Sequence, residues 1–152
     1  AGAPLSAMAS RLRSMWRTAA WMVLTGGLVA GRITAVPGAS EVFRGGIVSY
    51  ATGVKHDLLG VPDGPVVSEA AAAAMATGAQ RTLKCDVALS LTGVAGPTEQ
   101  DGMPVGTLCV GLAIGDEVIT RSTRLPGQRD QMRQMSVITA LDVLRRVLLG
   151  QA

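Results

Sequence analysis

A chain of 152 residues with 48% hydrophobic side chains is large and apolar enough for one domain with a sizeable core, which excludes a disordered chain. Only 3% of the residues are aromatic and 19 are glycine, so that core has to be aliphatic and closely packed. The net charge of +3 comes mainly from arginines in "RLRSMWR" and again from Arg121 to Arg146; with so small a surplus, no aromatic-interleaved basic stripe and no helix-turn-helix pattern, nucleic acid is not expected as partner, and an anionic small molecule or simply solvated helix faces explain the charge equally well.

Residues 5–17 set Leu5, Met8, Leu12 and Met15 at helical spacing, which predicts an amphipathic first helix. The apolar run "TAAWMVLTGGLVAG" is fourteen residues long, short of the ~20 needed to span a bilayer. No small-x-small cleavage site follows it promptly, so neither a membrane span nor a secretion signal is expected. It reads instead as a strand over 18–24, a "TGG" turn, and a helix over 28–36 stopped by Val36-Pro37-Gly38. Ser40 then stands where an N-cap for a short "EVF" turn belongs, and "GGIVSYA" (45–51) predicts a strand.

"KHDLLGVP" predicts a helical turn closed by Gly60 and Pro62. The plainest helix is "VSEAAAAAMATGAQRTLK", with Ser68 as cap, Glu69 in the first turn, an alanine run and basic residues at the end. "DVALSLTG" (86–93) is a continuous apolar run of the kind buried on both faces of a sheet. "VGTLCVGLAI" and "EVITRSTRL" meet at Gly115-Asp116 as a hairpin, and a long last helix carries Met132, Met135, Ile138, Leu141, Leu144 and Leu148 on one stripe. Early alternation of helix and strand followed by a hairpin implies the α/β class: a three-layer α/β/α architecture with a mixed sheet, one compact domain over residues 1–152. Cys85 and Cys109 lack metal-ligand spacing and are too few for a disulfide framework, so they read as buried thiols in a reducing cytoplasm.

The stretch 36–61 gathers Ser40, Tyr50 and Lys55 within sixteen positions. Each has an ordinary role available: a helix cap, a strand-edge aromatic, a solvated charge. The loop "TGVAGPTEQDGMPVG" (92–106) follows a buried strand, where ligands settle in α/β sheets, and its glycines let backbone amides approach a phosphate. It matches neither a Walker A nor a GxGxxG signature. His56, the sole histidine, reads as a surface residue, since no nucleophile-elbow sequence accompanies it and no Cys/His cluster makes a metal site.

Read together, "LTGGLVAGRITAVPGASEVFRGGIVSYATGVKHDLLGV", "SLTGVAGP", "PVGTLCVGLA" and "PGQRDQMRQ" give a chain that resembles the CinA C-terminal-domain family from about residue 5 to 149. The resemblance implies a nicotinamide-nucleotide amidase that converts nicotinamide mononucleotide and water to nicotinic acid mononucleotide and ammonia, with a small-molecule nucleotide as substrate and no cofactor. It implies Ser40, Tyr50 and Lys55 as catalytic residues. Thr92, Gly93, Gly96 and Arg129, with Thr25 and Gly26, would bind substrate. A cytoplasmic homo-oligomer is expected, a dimer formed through the apolar first and last helices.

The chemistry is consistent on its own terms. An amide is a poor electrophile, so its hydrolysis at neutral pH without a metal favours an activated nucleophile and a proton for the departing ammonia. A desolvated lysine has a lowered pKa, can take the serine proton and can pass it to the leaving group, while Tyr50 relays it or orients the amine. Amides of the "EVF" turn or of Gly45 and Gly46 are candidate oxyanion donors. One departure stands out: the family usually reads Ala-Glu-Ser-x-Thr-Gly-Gly at the first strand-turn, whereas here Met22 and Val23 replace the carboxylate and the hydroxyl. A relative that binds nucleotide or protein without turnover is therefore the alternative.

Overall fold

The computed structural model describes residues 25–151 and the backbone of residues 18–20. The elements in chain order are β1 (Thr18–Ala20), α1 (Leu28–Thr34), α2 (Ala39–Val42), β2 (Phe43–Gly45), α3 (Thr52–Leu59), α4 (Glu69–Leu83), β3 (Val87–Gly93), β4 (Thr107–Ile114), β5 (Glu117–Arg124) and α5 (Arg129–Leu148). The helix expected over 5–17, and residues 21–24 of the expected first strand, lie outside the described residues.

The five strands form one sheet in the order β2-β1-β3-β4-β5. β1 runs parallel to β2 and β3, and β3, β4 and β5 are antiparallel neighbours, so the sheet is mixed as expected. The Gly115-Asp116 turn pairs Ile114 with Glu117 and fixes the hairpin register. Side chains alternate along β3: Val87, Leu89 and Leu91 join Met132, Val137, Ala140 and Leu144 of α5 on one face, and Ala88 meets Met75, Ala76 and Ala79 of α4 on the other. Both faces of β3 are thereby buried, which is why its sequence is a continuous apolar run.

Small residues set the spacing on the α4 face. Ser90 Oγ donates to the carbonyl of Ala72 at 2.6 Å, a side-chain bond made straight from the sheet to a helix backbone. A methyl group on Gly111 would collide with that same carbonyl, and one on Gly78 would collide with the carbonyl of Leu59 at the end of α3. α4 itself begins as expected, with Ser68 Oγ accepting from the amide of Ala71 at 3.0 Å.

Four local expectations are corrected. Ser40 is not an N-cap: Gly38, at φ 84°, takes that place and Ser40 sits inside α2, because only glycine enters the left-handed turn after Pro37 without strain. The strand expected over 45–51 is Phe43–Gly45, and residues 46–50 are irregular. α3 starts three residues before the expected Lys55, at Thr52. On α5 the buried line is Met132, Ser136, Val137, Ala140, Leu144 and Val147, whereas Ile138 is 63% exposed. Ser136 can face the core because its hydroxyl donates back to the carbonyl of Met132 at 2.7 Å.

The same substitution should have opposite signs on two helices. Gly31→Ala in α1, where an added methyl meets nothing within 4 Å among the described residues, is expected to stabilise the protein by about 0.5–1 kcal/mol. Gly78→Ala in α4 is expected to destabilise it by about 1–3 kcal/mol in spite of alanine's helix propensity. Urea unfolding midpoints of the two variants check both signs.

Candidate active site

A cavity of about 180 Å³ opens where α3, the end of β3 and the start of α5 converge. Tyr50, Thr52 and Lys55 line it from one side, Val66 and Val67 from the approach to α4, residues 93–96 from the loop after β3, and Gln100 and Arg129 close it. Of the residues predicted from sequence, it brings together Tyr50, Lys55, Thr92, Gly93, Gly96 and Arg129. Ser40, Thr25 and Gly26 are not part of its lining.

Lys55 owes its place to the way α3 ends. Gly60, at φ 68°, closes the helix, with its amide on the carbonyl of His56 at 3.0 Å and the amide of Val61 on that of Lys55 at 3.2 Å. His56 is half-buried rather than a loose surface residue, because Nδ1 donates to the carbonyl of Val61 at 2.6 Å and ties ring to turn. Lys55 and Leu59, one turn apart, are the inward residues of the helix, and Lys55 is only 3% exposed. Burial therefore pushes its amine below the ordinary lysine value, with the negative charge of Asp101 opposing part of that shift.

Arg129, the first residue of α5, donates to the carbonyl of Gly96 at 2.9 Å and to the Tyr50 hydroxyl at 3.0 Å. One turn on, Arg133 donates to the carbonyl of Thr25 at 3.1 Å and reaches the backbone of the "TGG" turn. A reciprocal capping box between Gln128 and Gln131 holds this helix start. Thr92 is buried with its hydroxyl donating to the carbonyl of Val66 at 2.6 Å, so toward a ligand it can only accept. Two further hydroxyls, Thr25 Oγ1 and Ser49 Oγ, are buried without a hydrogen-bond partner among the described residues, one beside Gly26 and the other beside Tyr50. Each such group carries a cost of about 1–3 kcal/mol.

Ser40 is exposed on α2, whose residues Ala39 and Val42 line a separate apolar groove with Val36, Pro37 and Leu141. The main cavity thus joins two cations, a phenol that is 65% exposed, backbone of a Gly-rich loop and a valine wall, a combination suited to a polar anionic ligand with an apolar portion. Sequence reasoning missed Gln100, Thr52, Val66, Val67 and Arg133. The signal for Gln100 was there in "QDGM", since Asp-Gly is the strongest short hairpin signature.

Fold and site together define a class: a three-layer α/β/α protein with a cation-lined cavity at a strand end. Residues 7–148 match the CinA C-terminal domain, and the chain belongs to that family. It is 54% identical over 132 residues to a CinA-like protein of Frankia casuarinae, covering 84% of this chain but 30% of that relative, so it spans less than a third of that curated relative's length. Among solved structures, a competence-damaged protein (CinA) superfamily protein from Escherichia coli superposes with a TM-score of 0.85 at 29% identity, over 94% of this chain and 87% of that one. The competence/damage inducible protein CihA from Agrobacterium tumefaciens does so with a TM-score of 0.83 at 28% identity, over 96% of each chain. No helix among the described residues is long and apolar enough to cross a membrane.

The burial of Lys55 has a thermodynamic signature. Its folded pKa lies below the unfolded value, so unfolding takes up a proton between the two, and the penalty is fully present below the folded pKa and gone above about 10.4. Lys55→Met is expected to raise the melting temperature at neutral pH, with the gain shrinking as pH climbs toward that of an unfolded lysine. Thermal denaturation of both proteins across that range checks it.

Proposed function

We propose that the domain hydrolyses the carboxamide of a nicotinamide nucleotide, releasing ammonia, with Lys55 as the proton-transfer group. The observation that carries this reading is the cavity in which a desolvated lysine, the Tyr50 phenol and an oriented arginine meet. A lysine held below its ordinary pKa supplies neutral amine at lower pH than a solvated one, as a general base requires.

In this reading Arg129, oriented by the Gly96 carbonyl and the Tyr50 hydroxyl, offers its remaining N–H donors to the phosphate. Thr92 and the backbone of residues 93–96 flank the same end. Ser40 Oγ is exposed and has no hydrogen-bond partner among the described residues, so it is available to an amide presented over α2. The step requires Ser40 Oγ, which lies outside the cavity lining, to come within reach of Lys55 Nζ at the bound amide; Lys55 Nζ then takes the serine proton as Oγ bonds to the carbonyl carbon. The proton passes to the nitrogen as the C–N bond breaks and ammonia leaves. Water then opens the acyl ester, its proton returning through Lys55 to Oγ.

A second reading rests on two observations: Ser40 lies outside the cavity lining, and Met22 and Val23 stand where the family usually has Glu and Ser. In that case the domain binds nucleotide or a protein partner without turnover. A homodimer belongs to either reading, supported by the exposed apolar residues Val36, Val42 and Ile138, and so does a cytoplasmic location.

The readings separate in one assay of nicotinic acid mononucleotide formation from nicotinamide mononucleotide. The amidase reading expects measurable turnover that Ser40→Ala abolishes and that Lys55→Met lowers about 10²–10⁴-fold in kcat. Calorimetric binding without product, unaffected by Ser40→Ala, overturns it in favour of the second. Arg129→Ala is expected to act differently, raising KM roughly 10- to 100-fold with a smaller effect on kcat, as loss of a charge-assisted phosphate contact would.

A further inference from the structure

Opposite Lys55, the loop after β3 contains a feature that the proposed chemistry does not use. Gln100 and Met103 pair with each other through both backbone amides, at 3.2 and 2.8 Å, around Asp101 and Gly102. Both central residues have positive φ, 55° and 71°, the geometry of a tight type I′ hairpin. Aspartate tolerates that conformation better than most residues do. Asp101 does more than turn the chain: Oδ2 accepts from the amides of Val66 at 2.8 Å and Val67 at 3.1 Å. From the other side, Thr92 donates to the Val66 carbonyl at 2.6 Å. Residues 66 and 67, which form the cavity's apolar wall just before the Ser68 cap of α4, are therefore held on both edges.

We propose that Asp101 is a positioning residue that fastens the Gln100 hairpin to the Val66–Val67 wall and supplies the counter-charge for the Lys55 amine. Most other charged or titratable groups on the surrounding elements have partners of their own. Arg129 and Tyr50, on the cavity lining, bond to each other. On α4, packed against α3, Glu69 accepts from Thr120 and Arg81 reaches the carbonyl of Leu59. On α3 itself, His56 is tied to Val61 and Asp57 is exposed. The negative charge of Asp101 opposes part of the effect of burial on Lys55. The two functions are separable by substitution. Asparagine keeps an acceptor for the two amides and tolerates the left-handed turn, but carries no charge. Alanine loses charge, acceptor and turn preference together.

The inference rests on the amidase reading only for its role in turnover, so the decisive measurement is independent of activity. Lys55 and Lys84 are the chain's two lysines, and Lys84 is exposed at the end of α4. NMR titration of ¹³Cε-labelled lysine in the full chain therefore reads Lys55 beside an internal reference. In Asp101→Asn, the Lys55 resonance should titrate at lower pH than in the wild type, with Lys84 unmoved and slow amide exchange retained at Val66 and Val67. In Asp101→Ala, exchange at those two amides should quicken, and where turnover is measurable KM should rise about tenfold for the loosened wall. If the enzyme is active, the acid limb of kcat/KM in Asp101→Asn should move to lower pH with the lysine. An unchanged Lys55 midpoint in Asp101→Asn overturns the inference, and that variant carries the test if Asp101→Ala does not fold. A shifted midpoint in a protein with no wild-type turnover upholds the positioning role while the amidase reading fails.

Discussion

The close seating of α4 on the sheet is the constraint from which the rest of the molecule follows. The helix can approach until Ser90 bonds directly to the Ala72 carbonyl only because Gly111 and the alanine run leave no side chain between the layers. The same economy of volume at Gly78 lets the end of α3 rest against the middle of α4. With α3 drawn in, Lys55 and Leu59 are almost wholly withdrawn from solvent, and a residue type that is almost never fully buried becomes part of a cavity wall. A bulkier helix in place of the alanine run would hold α3 off and leave the lysine an unremarkable surface charge.

What the seating creates, backbone and charge then organise. The valine segment entering α4 is bonded to Thr92 on one edge and to Asp101 on the other, and Arg129 bridges Tyr50 to the Gly-rich loop. Few of these bonds join two side chains. Most run from a side chain to a main-chain group in a distant segment, so they fix where the backbone goes and leave the cavity-facing atoms available. Ser49, beside Tyr50, is a buried hydroxyl without a partner among the described residues, consistent with a region organised for something other than maximal stability.

The parts of the fold that were legible in sequence are those decided locally. Ser68 caps α4, Gly60 closes α3 and Gly115-Asp116 turns the hairpin, each by chemistry contained within a few residues. The errors arose where distant partners decide. On α5 a stripe drawn through Met135 and Ile138 was as regular as the true one through Ser136, Val137 and Ala140, and only the sheet's demand for small residues selects between them. Ser40 looked like a cap because it follows Pro-Gly, but Gly38 was free to take the left-handed place. For the site, residue types and order pointed to Tyr50, Lys55, Thr92, Gly93, Gly96 and Arg129, which line one cavity, and to Ser40, Thr25 and Gly26, which lie outside its lining, whereas the burial of Lys55 was invisible beside His56 and Asp57. Its cause is an alanine helix some twenty residues away. Asp101 was overlooked for the opposite reason: it lay in plain sight inside a loop read for its glycines alone.

The start of α5 ties three remote segments to two consecutive turns: Tyr50 and the Gly96 loop through Arg129, and the Thr25 turn through Arg133. Helix ends are ordinarily among the first parts of a native protein to fray. Here a single fraying event would release all three segments at once, and the Gln128–Gln131 capping box works directly against it. Any anion that grips Arg129 selects the unfrayed helix. Occupancy of the cavity and integrity of that terminus are then one equilibrium observed from two ends.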